Sequence, residues 1–327
     1  MQILAPAHSV READVLISCG AQELYCGLHP AAWTRRHGKK VWLNRRGAGN
    51  VESFAELKEL TGVAHARGVP VHLTLNLPFY PPEHYTDVLD MAERATVEGG
   101  VDALIIADPG MIVAVKRSRP DIAVHVSSLA AVLNSEAVKF FAGLGASRII
   151  FPRYIPLANL RRVTAEAGNS LGYEVFILND GCMFEEGYCH ASHTFGGAFC
   201  SAPRNYRLVR TPEAQEKQES FAHHLADYRR WIWCVGWNCG GLPGPQGYPD
   251  GMCGICALPE LQEMGVTTLK IIGREGSLGK KAASVRLVRR VLDLVESGTG
   301  PAEVKKRARA IRGTPGGCDS GYLCYFR

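Results

Sequence analysis

The chain has 327 residues, of which 46% are hydrophobic and 21% are charged, and its formal net charge is +5. This composition is typical of a globular protein large enough for one α/β barrel or two smaller domains. The amino terminus, MQILAPAHSV, lacks the features of a signal peptide, and no run of about eighteen apolar residues is present. We therefore expect a cytoplasmic protein without a membrane span, and the modest, dispersed positive charge argues against nucleic acid as a partner.

Short apolar, β-branched runs recur along the chain, with segments of helical periodicity between them. The predicted strands are Ile3–Ala5, Glu23–Cys26, Val71–Asn76, Ala103–Asp108, Ala123–Ser128, Arg148–Pro152, Glu174–Leu178 and Thr268–Ile272. Eight strands that alternate with helices predict a TIM-like (β/α)8 barrel. Their nearly continuous apolar character fits parallel strands that are buried on both faces.

Helix signals between the strands support this architecture. A 3.6-residue pattern begins at Phe54 after a candidate cap at Asn50, and another follows a candidate cap at Asn134. The amphipathic segment 278–297 is expected to close the barrel. We therefore predict a barrel domain over residues 1–298 and a short basic tail over 299–327.

Most of the predicted strands end in polar residues: Asn76, Asp108, Ser127, Ser128, Arg153, Asn179 and Asp180. In a barrel these positions converge at the carboxyl-end rim, where active sites are built. Any one of them could simply mark the end of a strand. We expect two of them, Asn76 and Arg153, to be catalytic together with His125, which lies within the fifth strand.

An insertion over residues 181–258, between the seventh and eighth strands, contains seven of the eleven cysteines: Cys182, Cys189, Cys200, Cys234, Cys239, Cys253 and Cys256. Clustered thiolates are ligands for soft metals, and an iron–sulfur cluster or a zinc site takes about four of them. An odd total of cysteines argues against a disulfide framework. The metal centre is therefore expected over the rim of the barrel.

Spacing alone leaves the ligands open. Four cysteines from separate loops could hold a [4Fe–4S] cluster, namely Cys182, Cys189, Cys200 and Cys239. Zinc at the C-x-x-C pair of Cys253 and Cys256, with Cys234 and Cys239, is the alternative. Unligated thiols are a third interpretation. His190 and His193 could be ligands or solvated side chains, and Glu185 and Glu186 could be acid–base groups or part of a solvated loop.

The remaining cysteines are expected to be unligated. Cys19 and Cys26 fit small buried apolar residues, and Cys318 and Cys324 fit incidental thiols of the tail. The motifs G-x-S-x-G, H-E-x-x-H, the P-loop and G-x-G-x-x-G are absent. The serine hydrolase, zincin, NTPase and dinucleotide-binding classes therefore lack their usual support.

Six blocks of the sequence together resemble the collagenase-like peptidase family U32, over residues 2–297. They are Leu4-Ala5-Pro6-Ala7, Gly20-Ala21-x-Glu23-Leu24-Tyr25-x-Gly27, Asn76, Ile105-Ile106-Ala107-Asp108, His125-Val126-Ser127 and Lys270-Ile271-Ile272-Gly273-Arg274. The cysteine layout and Pro152-Arg153 most resemble a member that hydroxylates without oxygen in ubiquinone biosynthesis, together with a homologous partner subunit. That member carries a [4Fe–4S] cluster on four cysteines.

The resemblance implies that Cys182, Cys189, Cys200 and Cys239 are the cluster ligands. Two of their intervals, seven and thirty-nine positions, equal those of the similar member, whereas the middle interval of eleven is shorter. Cys253 or Cys256 could replace Cys239 as fourth ligand or serve a second site. Other members of the family hydroxylate RNA bases, with prephenate implicated as oxygen donor.

We therefore expect an iron–sulfur-dependent, oxygen-independent hydroxylase that acts on an aromatic or quinone-like small molecule. Arg46, Arg153 and Arg274 are candidates to hold an anionic donor, because a guanidinium pairs bidentately with carboxylates. A U32-type peptidase and a non-catalytic, cluster-bearing partner subunit are the alternatives.

Overall fold

In the computed structural model, the described residues are 1–38, 41–182, 186–187, 222–223, 225–227, 229–230, 243–244 and 246–326. Within these ranges, eight parallel strands close into a barrel. They are β1 (Gln2–Pro6), β2 (Glu23–Gly27), β3 (Val71–Leu75), β4 (Ala103–Ile106), β5 (Ala123–Val126), β6 (Arg148–Ile150), β7 (Gly172–Asn179) and β9 (Thr268–Ile271). Closure follows from β1, which pairs with β2 on one side and with β9 on the other. The (β/α)8 prediction and its eight strands are confirmed.

Helices surround the barrel between these strands. They are α1 (Val10–Ser18), α2 (Ala31–His37), α3 (Phe54–His65), α4 (Tyr85–Val97), α5 (Pro109–Ser118), α6 (Ser135–Gly143), α7 (Leu157–Ala167), α8 (Leu258–Glu263), α9 (Leu278–Glu296), α10 (Pro301–Arg312) and α11 (Pro315–Asp319). Asn134 caps α6 as predicted. The predicted Asn50 cap of α3 is wrong, because Ser53 accepts from the amide of Glu56 and Asn50 instead donates to the carbonyl of Arg46. No helix in the described ranges is both long and apolar enough to cross a bilayer.

Two apolar layers hold the fold together. The larger one lies between the barrel and its helices, and α9 alone contributes Val285, Leu287, Val288, Val291 and Leu292 to it. The smaller one is made by inward-pointing residues of the strands, such as Leu4, Tyr25, Ile105, Ile150 and Phe176. Burial of both layers is the main favourable term for this architecture.

Residues 299–326 are packed against the barrel, in contrast to the expected short tail. Val304 and Ala308 of α10 are fully buried, and Leu323 and Tyr325 join the inner apolar layer. The hydroxyl of Tyr325 donates to the carbonyl of Asp180 at 2.8 Å. The segment therefore contributes directly to the carboxyl end of the barrel.

A short strand that the sequence analysis missed, β8 (Met252–Cys253), pairs antiparallel with the end of β7. Leu178 lies opposite Cys253, and Asn179 lies opposite Met252. Asn179 has a φ of 89°, in the left-handed region, and its side-chain amide donates to the carbonyl of Ile272 and the hydroxyl of Ser284. The two ends of the insertion are therefore held side by side at the rim.

Candidate functional site at the barrel mouth

A cavity of about 60 Å³ lies inside the carboxyl-end rim of the barrel. Polar and charged residues from most of the strand ends line it: Tyr25, Arg45, Arg46, Thr74, Asn76, Ser127, Ser128, Arg153, Glu186, Lys270 and Arg274. Apolar residues of the inner layer, such as Ile105 and Phe176, form the rest of the wall. This is the position at which barrel enzymes bind their substrates.

Glu186 is the buried carboxylate around which one side of the cavity is organised. Its Oε1 lies 2.6 Å from a guanidinium nitrogen of Arg153 and 2.9 Å from one of Arg45, and it accepts from the hydroxyl of Ser128 at 2.8 Å. Its Oε2 accepts from the backbone amide of Arg153. Burial alone would raise the pKa of Glu186, but the charges of Arg153 and Arg45 outweigh it and lower the pKa. Glu186 is therefore an ionised anchor for two arginines.

Arg274 forms the opposite side of the cavity and is held differently. It is buried and donates to the hydroxyl of Thr74 at 2.8 Å and to the side-chain oxygen of Asn44 at 2.6 Å. Burial lowers the pKa of Arg274 to about 10, so the guanidinium remains charged at neutral pH. A buried cation that donates to neutral oxygens is suited to receive an anionic ligand.

Asn76 and Arg46 complete the mouth. The side-chain oxygen of Asn76 accepts from the backbone amide of Arg45 at 3.1 Å, which fixes the loop that carries both arginines. Arg46 is about one-third exposed and lies 3.5 Å from Asp180 and 3.5 Å from Glu275. Ion pairs of this length and exposure are weak, so Arg46 can move onto a ligand at little cost.

A second charged layer lies deeper in the barrel. Lys270 donates to Glu174 at 2.6 Å, and Arg148 links Glu174, at 3.1 Å, to Glu23, at 2.6 Å. Glu23 also shares a 2.9 Å hydrogen bond with His72. Burial would raise the pKa of Glu23, but the hydrogen bonds from His72 and Arg148 lower it to about 2. Every charge in this layer thus has a partner of opposite sign.

His125 belongs to this deeper layer and does not line the mouth cavity. It is 5% exposed, and its ring lies 4.7 Å from that of His72. Burial lowers the pKa of His125 well below the ordinary value, and the charges of His72, Arg148 and Lys270 lower it further. The imidazole is therefore neutral, and its Nδ1 has no hydrogen-bond partner among the described residues.

The predicted site residues are thus partly brought together. Asn76, Arg46, Arg153 and Arg274 share the mouth cavity, whereas His125 lies beneath it. Cys182 follows β7 at the rim and is half-buried. The other predicted ligands, Cys189, Cys200 and Cys239, lie outside the described residues, as do Cys234, His190, His193 and Glu185.

Asp108, another predicted rim residue, has a structural role. Its Oδ1 accepts from the amides of Gly110 and Met111 at the start of α5, and its Oδ2 accepts from the amide of Tyr80 and the hydroxyl of Tyr85. A carboxylate at a helix N-cap satisfies amides that have no partner within the helix. For Asp108, the simpler interpretation of a polar strand end is correct.

The sequence patterns do not predict Arg45, Glu174 and Lys270 as site residues, and they leave the role of Glu186 open. A usable signal was present for Glu174 and Lys270, because each is a lone charge within an apolar strand. A charge buried in a barrel strand is costly unless it is paired, so a lone charge in an apolar strand indicates an internal ion pair. Glu186 and Arg45 lie in loops, and their contacts depend on tertiary structure that periodicity does not encode.

Together, the fold and the mouth define an α/β-barrel protein with a cationic cavity at its carboxyl-end rim. The sequence model of Peptidase family U32 matches residues 8–326, and the chain belongs to this family. A solved structure titled as the U32 peptidase Mk0906 is 14% identical, with a TM-score of 0.46 over 84% of this chain and 93% of that one.

Curated relatives carry two kinds of name. "tRNA hydroxylation protein P1" of Bacillus subtilis is 25% identical over 89% of this chain and 63% of its own length. "tRNA hydroxylation protein P" of Escherichia coli is 27% identical over 58% of this chain and 38% of its own length. "Uncharacterized protease MJ0090" of Methanocaldococcus jannaschii is 25% identical over 91% of this chain and 67% of its own length. The chain thus spans less than two thirds of either tRNA hydroxylation protein.

Proposed function

We propose that the protein is an oxygen-independent hydroxylase whose mouth cavity binds an anionic small molecule as oxygen donor. The observation that carries this proposal is Arg274, a buried guanidinium whose described hydrogen bonds go to the neutral oxygens of Thr74 and Asn44. Arg153 and Arg45 line the same cavity. A dicarboxylate such as prephenate would offer one carboxylate to Arg274 and the other to Arg153.

The residues of the mouth would position the donor and exclude water. Glu186 holds Arg153 and Arg45 in fixed positions, so little side-chain entropy is lost when an anion binds to them. Phe176 lies beneath the guanidinium of Arg153 at 4.2 Å and gives the cavity an apolar floor. Electrostatic interactions are stronger in such a partly desolvated site.

We further propose that Cys182, with Cys189, Cys200 and Cys239, holds a [4Fe–4S] cluster beside this cavity. Cys182 fits this role, because it follows the end of β7 at the rim and is a free, half-buried thiol. When bound, the cluster would supply electron transfer, or an open coordination position, to the reacting molecules.

The oxygen acceptor is proposed to be a planar ring. The names of the Bacillus and Escherichia relatives favour a base of tRNA, contrary to the expectation that nucleic acid is not a partner. An aromatic or quinone-like small molecule is the second candidate, supported by the cysteine spacing described above. A homologous partner subunit could be required with either acceptor.

A peptidase is a less favoured alternative, supported by the family name and by the name of the Methanocaldococcus relative. At the mouth, the Ser128 hydroxyl donates to Glu186, which is already paired with Arg153 and Arg45. A carboxylate stabilised in this way is a poor general base, because its pKa is lowered. The described geometry therefore favours anion binding over activation of a nucleophile.

The deciding experiment is an anaerobic incubation of the full chain with prephenate and either undermodified tRNA or quinone precursors, read by mass spectrometry for a gain of one oxygen. We expect hydroxylation that is lost in Arg274→Lys and in Cys182→Ser and kept in Arg94→Lys, which alters an exposed arginine paired with Glu98. Peptide cleavage that survives Cys182→Ser, without any oxygenated product, would show the peptidase alternative to be correct.

A further inference from the structure

Four cysteines that are far apart in sequence line a second cavity, of about 190 Å³: Cys253, Cys256, Cys318 and Cys324. All four are free thiols. Cys253 and Cys324 lie on neighbouring backbone segments, since the amide of Cys253 donates to Leu323 at 2.8 Å and the amide of Tyr325 donates to Cys253 at 3.1 Å. Folding thus brings the C-x-x-C pair of the insertion to the two cysteines expected to be incidental.

This cavity is separate from the barrel mouth. The side chain of Cys253 packs in the apolar layer between the barrel and its helices, whereas its neighbour Met252 packs in the inner layer. Tyr325, beside Cys324, also faces the inner layer. Alternation along these extended segments therefore points Cys253 and Cys324 away from the site that contains Arg153 and Arg274.

The electrostatics of the cavity are those of a site for an anionic centre. Three cations, Lys305, Arg309 and Arg312, and one carboxylate, Glu260, line it, so the cations are in excess. Arg312 is 2% exposed, donates to the carbonyl of Gly251, and leaves its Nε without a hydrogen-bond partner among the described residues. A buried cation requires negative charge nearby. Thiolates on a metal provide that charge, because four of them exceed the charge of the zinc ion or cluster that they hold.

Burial raises the pKa of Cys256 to about 11, and the neighbouring thiols Cys253 and Cys318 raise it further, while Arg309 lowers it. Only the thiolate is a metal ligand, so binding of a metal at Cys256 would release its proton.

We propose that Cys253, Cys256, Cys318 and Cys324 form a second metal centre, held by four thiolates between β8, α10 and the segment 318–324. Within the described ranges, no group of three His, Cys, Asp or Glu side chains is already arranged to coordinate a metal ion. Metal binding therefore requires the cysteine side chains to rotate about χ1. The cavity of about 190 Å³ has room for either a zinc ion or an iron–sulfur cluster.

The test measures iron, sulfide and zinc in the anaerobically purified full chain in the Cys182→Ser background, which removes the centre proposed at the mouth. We expect this variant to retain about four iron and four sulfide per chain, or about one zinc if the centre is mononuclear. Adding Cys256→Ser or Cys318→Ser should lower the bound metal at least about fivefold. Adding Cys19→Ser, the matched control, should leave the metal content unchanged.

A second measurement does not depend on folding of the variants. In the otherwise unmodified protein, the four cysteines should resist alkylation and become reactive after a chelator removes the metal, as read by peptide mass spectrometry. The proposal is overturned if Cys182→Ser contains no metal, if Cys256→Ser and Cys318→Ser retain it, or if the four residues prove to be joined in disulfides. Retention of this metal without any hydroxylation would contradict the proposed function and leave the second metal centre supported.

Discussion

The guanidinium of Arg274 lies directly against the Cα of Gly27, and a Cβ added there would be 1.9 Å from Nη1 and 2.1 Å from the side-chain oxygen of Asn50. The strand β2 can therefore pass the cavity at this point only with glycine. Because Gly27 has ordinary strand geometry, space and not backbone conformation is what requires it.

Gly27→Ala should displace Arg274 and weaken prephenate binding at least about tenfold, because the new methyl group takes the place of the guanidinium. It should also cost about 1–3 kcal/mol of unfolding free energy through overpacking. Calorimetric titration and urea unfolding measure the two effects. Gly62→Ala is the control, since a Cβ there meets nothing within 4 Å and alanine stabilises a helix. Undiminished binding in Gly27→Ala would contradict the placement of the anion at Arg274.

Glu186→Gln should destabilise the protein by about 3–5 kcal/mol, because it leaves the buried Arg153 and the half-buried Arg45 beside a neutral amide. Urea unfolding measures this loss. Glu98→Gln removes the carboxylate of an exposed i,i+4 pair with Arg94 and should leave the unfolding midpoint unchanged. Equal effects of the two substitutions would contradict the anchoring role of Glu186.

Acid should destabilise the barrel through Glu23. The pKa of Glu23 is about 2 in the folded protein against an ordinary 4.5, so the folded state binds this proton less readily than the unfolded state. Its contribution, about 3 kcal/mol, is complete above about pH 4.5 and is lost as the pH falls towards 2. Unfolding free energies measured across this range should fall with a steeper slope in the unmodified protein than in Glu23→Gln. Parallel slopes would argue against the ion-pair network.

Asp108→Ala should lower the stability of the protein and leave its affinity for the ligand nearly unchanged. Loss of the cap on α5 and of the acceptor for Tyr80 and Tyr85 should cost about 2–4 kcal/mol. Asp108 does not line the mouth cavity, so the affinity for prephenate should change less than about twofold at temperatures where the variant is folded. A large loss of affinity would place Asp108 in the site after all.

The barrel could be predicted because its determinants are local. Each strand is a short apolar run and each helix carries its own periodicity, so the count of eight already fixed the architecture. β8 escaped notice because two residues are too few for a pattern. The packing of residues 299–326 was not predicted, because the basic composition of this segment reflects the exposed face of α10. Val304 and Ala308 are buried on its other face.

The site was predicted only where residues follow strands. Asn76 and Arg153 share the mouth because barrel strands end at one rim, and that rule is independent of side-chain detail. The same rule does not predict that His125 lies in the deeper charged layer or that Asp108 faces a helix. Contacts between loops, such as Arg45 with Glu186, depend on tertiary packing and are absent from any local pattern.

The short pairing of β7 with β8 also bears on how this family can vary. Leu178 and Cys253 are held opposite each other, so the two ends of the intervening segment meet at one junction of the barrel. The entropic cost of closing a loop grows only with the logarithm of its length. A change in the number of residues between Cys189 and Cys200 should therefore cost little in loop-closure entropy. Glu186, in the same segment, is constrained by its ion pairs with Arg153 and Arg45, so the chemistry of the segment and the stability of the barrel are linked at that residue.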